Sequence, residues 1–331
     1  MRDAISQVPI GAVRYNTETD RMEVYVFNKW MEVAVSSPII DGGTRALFAG
    51  GLGDPGSIQD RIDYITIPTG GDAIDFGNLS GSRFGGAGGS SRTRGVFMGG
   101  GTPTRLNVID FVTITTVANA QDFGDLTVDG SQGGGMSNQT RALYAGRSST
   151  SGIRNVIDYV TIAQTGAAVN FGDLSAIREH NCATSSPTRG LIAGGITPSN
   201  TNQIEFITIA TTGDAQDFGD LSTAGNSLGG GSGSQVRAIF AGLDASVNIE
   251  YVTYATLGNT NDFGDMLDGR EDMQSNSDSI RSILGGGLNP SRVNSIDYIT
   301  IMSQGRALTF GDLNGGMSTG MGQVSSGHGG L

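Results

Sequence analysis

The chain has 331 residues, 54 of them glycine, and a formal net charge of −12 from 32 acidic and 20 basic residues. A protein that binds a phosphate backbone needs a basic stripe, so this balance argues against nucleic-acid binding. No apolar run approaches the ~20 residues that span a bilayer, and the first residues lack the basic start and apolar core of a signal peptide. We therefore expect neither membrane insertion nor cleavage of a leader. Cys182 is the only cysteine, which excludes an internal disulfide and is typical of a protein made in a reducing cytoplasm.

Residues 1–37 lie outside the repeats that fill the rest of the chain and predict a small β module. We expect strands at 11–16, 21–27 and 30–35, because apolar positions alternate in the middle segment with a period of two. The module also contains the only tryptophan, Trp30, and the only lysine, Lys29.

A recognisable sequence pattern runs through this module from residue 11 to residue 33. It is carried by Gly11, Arg14, Tyr15, Asn16, Thr17, Glu23, Tyr25 and Trp30. The pattern resembles a short β module of bacteriophage tail fibres and other virion appendages. The resemblance implies that the module attaches the protein to a virion or joins copies, with Tyr15, Tyr25 or Trp30 buried against a partner. It also implies a homotrimer.

From residue 38 onward the chain repeats three phrases six times. The first is an arginine followed by small and aliphatic residues and a glycine, the second is I-(D/E)-(Y/F)-(V/I)-T-(I/Y), and the third is F-G-(D/N)-(L/M). The phenylalanines of the third phrase are separated by 47, 48, 47, 45 and 47 residues and are Phe76, Phe123, Phe171, Phe218, Phe263 and Phe310. A repeat of ~40–50 residues made of short strands is typical of a β-propeller blade.

The fourth copy illustrates the predicted blade. Its four strands are expected at 180–186, 188–195, 203–210 and 215–222. The first strand is made of small residues, as suits a crowded position. The third is apolar on both faces, so its sheet needs neighbours on both sides.

The order of these strands resembles the kelch repeat. A small strand is followed by a strand ending in paired glycines, a strand with an acidic–aromatic pair and a short aromatic strand, in which phenylalanine replaces the usual tryptophan. The resemblance covers residues 38–331 and implies an all-β protein with a six-bladed kelch-like β-propeller after the module of residues 1–37. Tandem repeats in this glycine-rich, lysine-poor style also look like predicted structural proteins of marine phages.

The two ends of the repeat region predict how it closes. The first copy begins at the double-glycine strand, 44–51, without a small strand before it, whereas small residues follow the last F-G-D-L at 310–313. We expect the C-terminal segment, 315–331, to act as a clasp that supplies the innermost strand of the first blade and removes an open edge. An open solenoid such as a β-helix is the competing arrangement, but it would need shorter coils and end caps.

Each repeat carries an arginine in its second predicted strand and an acid in its third. We expect these side chains to pair between adjacent strands as determinants of the fold. The alternative is a ring of carboxylates that binds Ca²⁺. The expected structural pairs are Arg45–Asp63, Arg94–Asp110, Arg141–Asp158, Arg189–Glu205, Arg237–Glu250 and Arg281–Asp297.

The segments between the second and third predicted strands differ most between copies, and variable loops are where function is expected. In up-and-down blades they all emerge on one face. They are polar and contain no aromatic residue for stacking on a sugar, which favours contact with proteins or weak contact with glycans over a deep pocket; the alternative is that they are solvated loops only. Candidate recognition residues in these loops are Arg105, Arg147, Arg154, Asn200, Asn202 and Arg292.

No catalytic, metal-binding or cofactor-binding group is predicted. The D-F-G triplets lack the other motifs of a kinase, and the two histidines, His180 and His328, have no cysteine partner nearby for zinc. The sequence therefore predicts a non-enzymatic phage virion protein, in a tail fibre, tail appendage or capsid surface, that contacts other virion proteins and a host receptor. One alternative is an adhesin for host-surface glycans. A polysaccharide-cleaving enzyme would depend on Glu179 or on the Glu271/Asp272 pair and is less favoured.

Overall fold

The computed structural model describes residues 8–16, 21–26, 29–32, 44–196, 198–226 and 230–331. The chain divides into two compact units, Met1–Asp41 and Gly42–Leu331; the predicted boundary between residues 37 and 38 lies outside the described residues. Within these ranges the protein is all-β, with a single helical turn of the 3-10 type at Leu243–Ala245. No helix in the described part of the chain is long and apolar enough to cross a membrane.

The first unit is a three-stranded antiparallel sheet. Its strands are β1 (Val13–Asn16), β2 (Arg21–Val26) and β3 (Lys29–Glu32), in that order across the sheet. The three predicted strands are confirmed, except that the first begins at Val13 and not at residue 11, while residue 27 and residues 33–35 lie outside the described ranges. The register places Arg14 opposite Glu23 and Tyr25 opposite Trp30.

The second unit consists of six antiparallel sheets and one short ribbon. Sheet 1 begins with β4 (Arg45–Gly53), β5 (Ser57–Thr66) and β6 (Ile74–Asn78). Sheet 2 contains β7 (Ala87–Ser90), β8 (Arg94–Met98), β9 (Val108–Thr113) and β10 (Gln121–Asp125). Sheet 3 contains β11 (Gly134–Ser137), β12 (Arg141–Ser149), β13 (Gly152–Thr161) and β14 (Val169–Asp173).

The later sheets have the same strand order. Sheet 4 contains β15 (Cys182–Ser185), β16 (Arg189–Ala193), β17 (Gln203–Thr208) and β18 (Gln216–Asp220). Sheet 5 contains β19 (Gly231–Gly233), β20 (Arg237–Ala241), β21 (Asn248–Thr253) and β22 (Asn261–Asp265). Sheet 6 contains β23 (Gln274–Ser277), β24 (Arg281–Gly285), β27 (Ser295–Thr300) and β28 (Leu308–Asp312), and the ribbon between β24 and β27 is β25 (Leu288–Asn289) with β26 (Ser291–Arg292).

The end of the chain completes sheet 1. Strands β29 (Met317–Ser318) and β30 (Met321–Ser325) both pair antiparallel with β4, so the predicted pairing of the C-terminal segment with the first repeat is confirmed. Ser326 then accepts a hydrogen bond from the backbone N–H of Arg45 at 3.1 Å. In sheet 4 the same bond is local, from Arg189 N–H to Ser186 at 3.0 Å. The distant segment thus replaces a hairpin that sheet 1 lacks.

The first strands of the sheets are made of small residues because they pack directly on one another. A Cβ atom added to Gly135 in β11 would lie 2.3 Å from the carbonyl oxygen of Gly88 in β7, closer than any real contact. Contacts of this kind join β7 to β11, β11 to β15, β15 to β19, β19 to β23, β23 to β30 and β30 back to β7. The predicted small strand is therefore confirmed, together with its physical reason.

The hydrophobic core lies between the sheets. Each of six clusters joins residues of two neighbouring sheets; one packs Phe76 of sheet 1 against Phe97 of sheet 2, both fully buried. Another cluster joins Phe48 of sheet 1 to Ile283 of sheet 6. Burying each such side chain contributes roughly 1.5–3 kcal/mol, and no sheet could bury both of its apolar faces alone.

The F-G phrase forms the contact between one sheet and the next. A Cβ atom at Gly172 would lie 2.3 Å from the carbonyl oxygen of Gly213 in the following sheet, and the same close approach joins Gly311 of sheet 6 to Gly71 of sheet 1. The backbone N–H of Ala73 also donates to Asp312 O at 2.7 Å. The contact from sheet 6 to sheet 1 is thus of the same kind as those between successive sheets.

Candidate functional site

The six predicted arginine–acid pairs are wrong. In sheet 1 the register places Arg45 opposite Thr66, whereas Asp63 lies opposite Phe48. Because side chains alternate between the two faces of a sheet, Arg45 and Asp63 point to opposite faces. The aromatic residue beside each acid, Tyr64 in sheet 1, shares the face of the arginine instead.

The second-strand arginines stack on those aromatic rings. Each guanidinium carbon lies 4.1–4.9 Å from the centre of a ring in the third strand, which is the geometry of a cation–π contact. Each Nη1 also donates to a backbone carbonyl of the next sheet at 2.5–3.0 Å. The six arginines are Arg45, Arg94, Arg141, Arg189, Arg237 and Arg281.

The six acids are buried and bind the segment that arrives from the preceding sheet. Asp110 accepts hydrogen bonds from the N–H and hydroxyl of Ser80, and Asp158 accepts one from the hydroxyl of Thr127 at 2.7 Å. Asp63 accepts a hydrogen bond at 2.8 Å from the side-chain amide of Asn314, which follows the last strand of sheet 6. The residue after the F-G-(D/N)-L phrase is therefore held by the acid of the following sheet in sheets 1 to 5, whereas Asp297 of sheet 6 binds Arg270 of that segment.

Other arginines neutralise most of these acids. The ion pairs are Arg61–Asp63, Arg83–Asp110, Arg147–Asp158, Arg178–Glu205 and Arg270–Asp297, with N–O distances of 2.6–3.0 Å. Glu250 is held instead by Ser222, Asn248 and Thr260. Burial lowers the pKa of Arg83, Arg178 and Arg270, while the paired acid opposes that change.

These pairs argue against the alternative of a carboxylate ring that binds Ca²⁺. Burial is the largest cause that raises the pKa of Asp63 and Asp297, and the neighbouring Arg61 and Arg270 act against it. The carboxylates are thus engaged with arginines and hydroxyls inside the protein. In the parts of the chain that the structure covers, no group of three His, Cys, Asp or Glu side chains could hold a metal ion.

In two sheets the strands extend far into the segments between the second and third strands, which we call the loop face. Strands β4 and β5 are joined by residues 54–56, and β12 and β13 by residues 150–151. Arg147 and Arg154 therefore lie in strands, opposite each other. Arg147 is fully buried in its ion pair with Asp158 and is not a recognition residue, which corrects the prediction.

The candidate recognition residues Arg105, Asn200, Asn202 and Arg292 lie in the loop face, and these four and Arg154 of β13 all have hydrogen-bond partners. Arg105 donates to Gln132 and Ser148, Arg154 to Ser149, and Arg292 to Ser318, and all three arginines are half-buried. Asn202 donates to Leu221 O. Asn200 is exposed and donates to both carboxylate oxygens of Asp244 at 3.0 and 3.1 Å.

A row of four backbone hydrogen bonds, which we call the mouth, joins the segments that precede the first strands of five sheets. His180 N–H donates to Gln132 O at 2.6 Å, Gly85 N–H to Thr319 O at 2.6 Å, and Thr319 N–H to Asp272 O at 2.7 Å; Gln132 N–H donates to Gly85 O. Each residue precedes the first strand of its sheet, and bridges such as Glu179 to Ile196 join these segments to the loops.

Four mouth residues adopt a backbone conformation that favours glycine. The φ angles of Gln132, His180, Asp272 and Thr319 lie between 53° and 65°, which costs roughly 1 kcal/mol or more for each residue that is not glycine. Glycine occupies the equivalent position in sheet 2, Gly85. The polar side chains are thus retained although glycine would relieve the strain.

The surroundings of the mouth are polar, with one aromatic ring that the sequence interpretation missed. Phe84 is half-buried and bridges to Gly101, and it lies in the segment of the mouth beside Arg105. Burial, followed by Asp272 and Asp244, raises the pKa of Glu271, while His180 acts in the opposite direction. The position two residues before each first strand differs from sheet to sheet in the described residues, so no sequence pattern marks it.

Five of the matched residues of the first unit, Arg14, Asn16, Glu23, Tyr25 and Trp30, form one cluster on one face of the sheet. Arg14 bonds Glu23 at 2.7 Å and lies 4.3 Å from the centre of the Trp30 ring, and Tyr25 contacts Trp30 edge-on at 5.3 Å. Asn16 also donates to Glu23 at 3.0 Å. Tyr25 and Trp30 thus have partners within the module.

The opposite face of this sheet is apolar and exposed. Tyr15 is 54% exposed and Val13 58%, and Met31 is exposed nearby on β3. Of the three predicted attachment residues, the structure therefore leaves Tyr15 accessible and half-buries Tyr25 and Trp30.

The chain matches no protein-family model, and no curated protein is significantly similar to it.

Proposed function

We propose that the second unit is a six-bladed kelch-like β-propeller and that the protein is a non-enzymatic structural component of a bacteriophage virion. In this proposal the six sheets are the blades, β30 is the clasp, and the loop face is displayed for contact with other virion proteins or a host receptor. The protein would reside in a tail fibre, a tail appendage or the capsid surface.

The main support for the proposal is that the contacts between sheets repeat, whereas the residues of the loop face vary. The arginine stacking, the buried acids and the F-G contacts recur from sheet to sheet, including from sheet 6 to sheet 1. The mouth differs among the five sheets in which the structure describes it, with Gly85, Gln132, His180, Asp272 and Thr319 at equivalent positions. A regular frame that presents different polar groups on one face suits recognition of a partner.

The first unit supports the link to virions. The residues that carry the resemblance to the tail-fibre module contact one another, since Arg14 lies between Glu23 and Trp30. A three-stranded sheet needs its apolar face covered to be stable, so we propose that the face with Val13, Tyr15 and Met31 packs against a neighbouring subunit, in a homotrimer or against another virion protein.

The experiment that tests this function is mass spectrometry of purified particles of the virus that encodes the chain, followed by electron microscopy at the matched position. The expected result is a fixed copy number per particle that survives density-gradient purification. A polypeptide that is made during infection but absent from purified particles would contradict the virion role.

A host-surface glycan is the second candidate ligand, and Phe84 favours it. The ring stands beside Arg105 and Gln132 near the mouth, and an aromatic ring with polar neighbours is suited to a sugar. Under this alternative the Phe84→Ala variant would lose about fivefold or more in binding to host cells, because stacking on an aromatic side chain contributes on the order of 1 kcal/mol or more.

The matched control is Val117→Ala, which removes an exposed apolar side chain from the opposite end of the same sheet. Equal binding by both variants and the parent chain would exclude the glycan site at Phe84.

A further inference from the structure

Residues 326–331, which we call the closing segment, follow β30 and run across the hairpins of other sheets. A Cβ atom at Gly329 would lie 2.3 Å from Ser234 O, and one at Gly330 would lie 1.9 Å from Ser137 O. Leu331 O accepts hydrogen bonds from Arg92 and Gln235. The segment therefore contacts sheets 2, 3 and 5 as well as sheet 1.

A network of serines connects this segment to the first strands. Ser325 N–H donates to the Ser90 hydroxyl at 3.1 Å, which donates to Ser325 O at 2.8 Å, and Ser325 Oγ donates to Ser277 O. Ser90 N–H donates to Ser137 Oγ, and Ser137 N–H to Ser185 Oγ. Gly327 N–H of the closing segment donates to Ser325 Oγ at 3.2 Å, so release of the segment removes this bond, and loosening of β30 would then leave the partners of Ser325 unbonded.

His328 lies at the centre of this network. The ring is 4% exposed, its Nε2 lies 2.9 Å from Ser90 O and 3.1 Å from Ser137 Oγ, and its Nδ1 accepts the N–H of Gly330 at 3.1 Å. The Ser90 carbonyl can only accept, so the ring proton resides on Nε2. A second proton, on Nδ1, would point at the N–H of Gly330 and break that bond.

The charged groups around His328 do not favour a cation. Arg92, in the hairpin of sheet 2, lowers the pKa of the ring, and burial lowers it more, to about 4; the Ser90 carbonyl acts in the opposite direction. The hairpins of sheets 3 and 4 present Ser137 and Ser185, which are uncharged. Asp278 in sheet 6 lies against Gly327, but its carboxylate accepts the N–H groups of Ile280 and Arg281.

We propose that the closing segment is a proton-sensitive clasp, in which protonation of His328 releases residues 326–331 and loosens β30 from β4. The protonated ring cannot keep the bond from Gly330, and it is solvated only when the segment leaves the protein. Sheet 1 then loses its innermost strand and the bond between Ser326 and Arg45.

The direction and size of the effect follow from the two states of the histidine. Because its pKa is lower in the closed segment than its ordinary value of 6.5, the neutral ring stabilises the closed state fully above pH 6.5, and this contribution falls as the pH drops towards 4. Between pH 8 and pH 5 the equilibrium constant for release should rise about thirtyfold.

The test is hydrogen–deuterium exchange of the full chain at pH 8 and pH 5, corrected for the intrinsic pH dependence of exchange, in the parent protein and in His328→Gln. The glutamine amide can donate to Ser90 O and does not titrate in this range. We expect protection of residues 321–331 to fall about thirtyfold in the parent protein and to change much less in the variant.

Two results would overturn the proposal. One is unchanged protection of this segment in the parent protein between pH 8 and pH 5; the other is an equal loss in both proteins. If His328→Gln does not fold, a nuclear magnetic resonance titration of the His328 ring in the parent protein decides. A His328 ring that titrates near pH 6.5 in the folded state contradicts the clasp, and one that titrates near pH 4 as protection is lost supports it.

Discussion

The arginines of this protein have two structural roles. Those of the second strand, such as Arg141, are half-buried, stack on an aromatic ring and bind a carbonyl of the next sheet. Four of those that pair with the third-strand acids, Arg83, Arg147, Arg178 and Arg270, are buried. A planar guanidinium can stack and donate at the same time, whereas an ammonium cannot. This difference gives a physical reason for a chain with many arginines and one lysine.

The buried pair of Arg178 and Glu205 gives a prediction at this scale. Arg178→Met should destabilise the protein by about 3–5 kcal/mol, because it leaves the carboxylate of Glu205 buried without its cation. The double variant Arg178→Met, Glu205→Leu should be more stable than Arg178→Met alone. The measurement is the free energy of unfolding in denaturant for each variant.

The opposite order would contradict this role of the pair. The contradicting result is a double variant that is clearly less stable than Arg178→Met. Glu205 would then stabilise the fold through its other bond, which it accepts from Ser175 N–H at 2.9 Å, and not through Arg178.

At the scale of the element, the F-G glycine determines how sheets approach. Gly172 has a φ of +155°, and an added Cβ would lie 2.3 Å from Gly213 O in the next sheet. Gly172→Ala should therefore cost about 2 kcal/mol or more, since a backbone atom cannot move aside cheaply. Thermal and denaturant unfolding measure this cost.

The control for that prediction is Gly81→Ala. Nothing lies within 4 Å of a Cβ at Gly81, so this substitution should be neutral or slightly stabilising through the unfolded chain. An equal loss of stability in Gly172→Ala and Gly81→Ala would mean that the close contact between neighbouring sheets is not the reason for glycine in the F-G phrase.

The positions of the strands could be predicted from the sequence, but the contacts between their side chains could not. The strands of the fourth copy, 180–186 to 215–222, correspond to β15–β18, and the small residues of 315–331 predicted the partner of β4. The arginine–acid pairing failed because the sequence does not give the register: with Thr66 rather than Asp63 opposite Arg45, the acid lies on the other face.

The candidate site was less predictable for the same kind of reason. Arg147 looked like a loop residue, but β12 continues through it and buries it against Asp158. The mouth depends on a position that varies from Gly85 to His180 and so has no sequence signature; only the common backbone conformation of its members identifies it.

At the scale of the whole molecule, stability depends on equivalent contacts from each sheet to the next. The contact from sheet 6 to sheet 1 uses the same devices as the others: Arg281 donates to Ile67 O at 2.9 Å and Asn314 to Asp63 at 2.8 Å. The additional element at this junction is the C-terminal segment, which provides β30 and the closing segment. The account therefore predicts that the ends of the second unit are held together through residues 315–331.

Calorimetric unfolding of the chain without residues 315–331, beside the full chain, tests this central claim most directly. The account predicts that the shortened chain loses the single sharp transition, because sheet 1 loses its innermost strand and the six clusters between sheets no longer unfold together. A shortened chain that keeps one sharp transition at the same temperature would contradict the closure of the six sheets by the C-terminal segment.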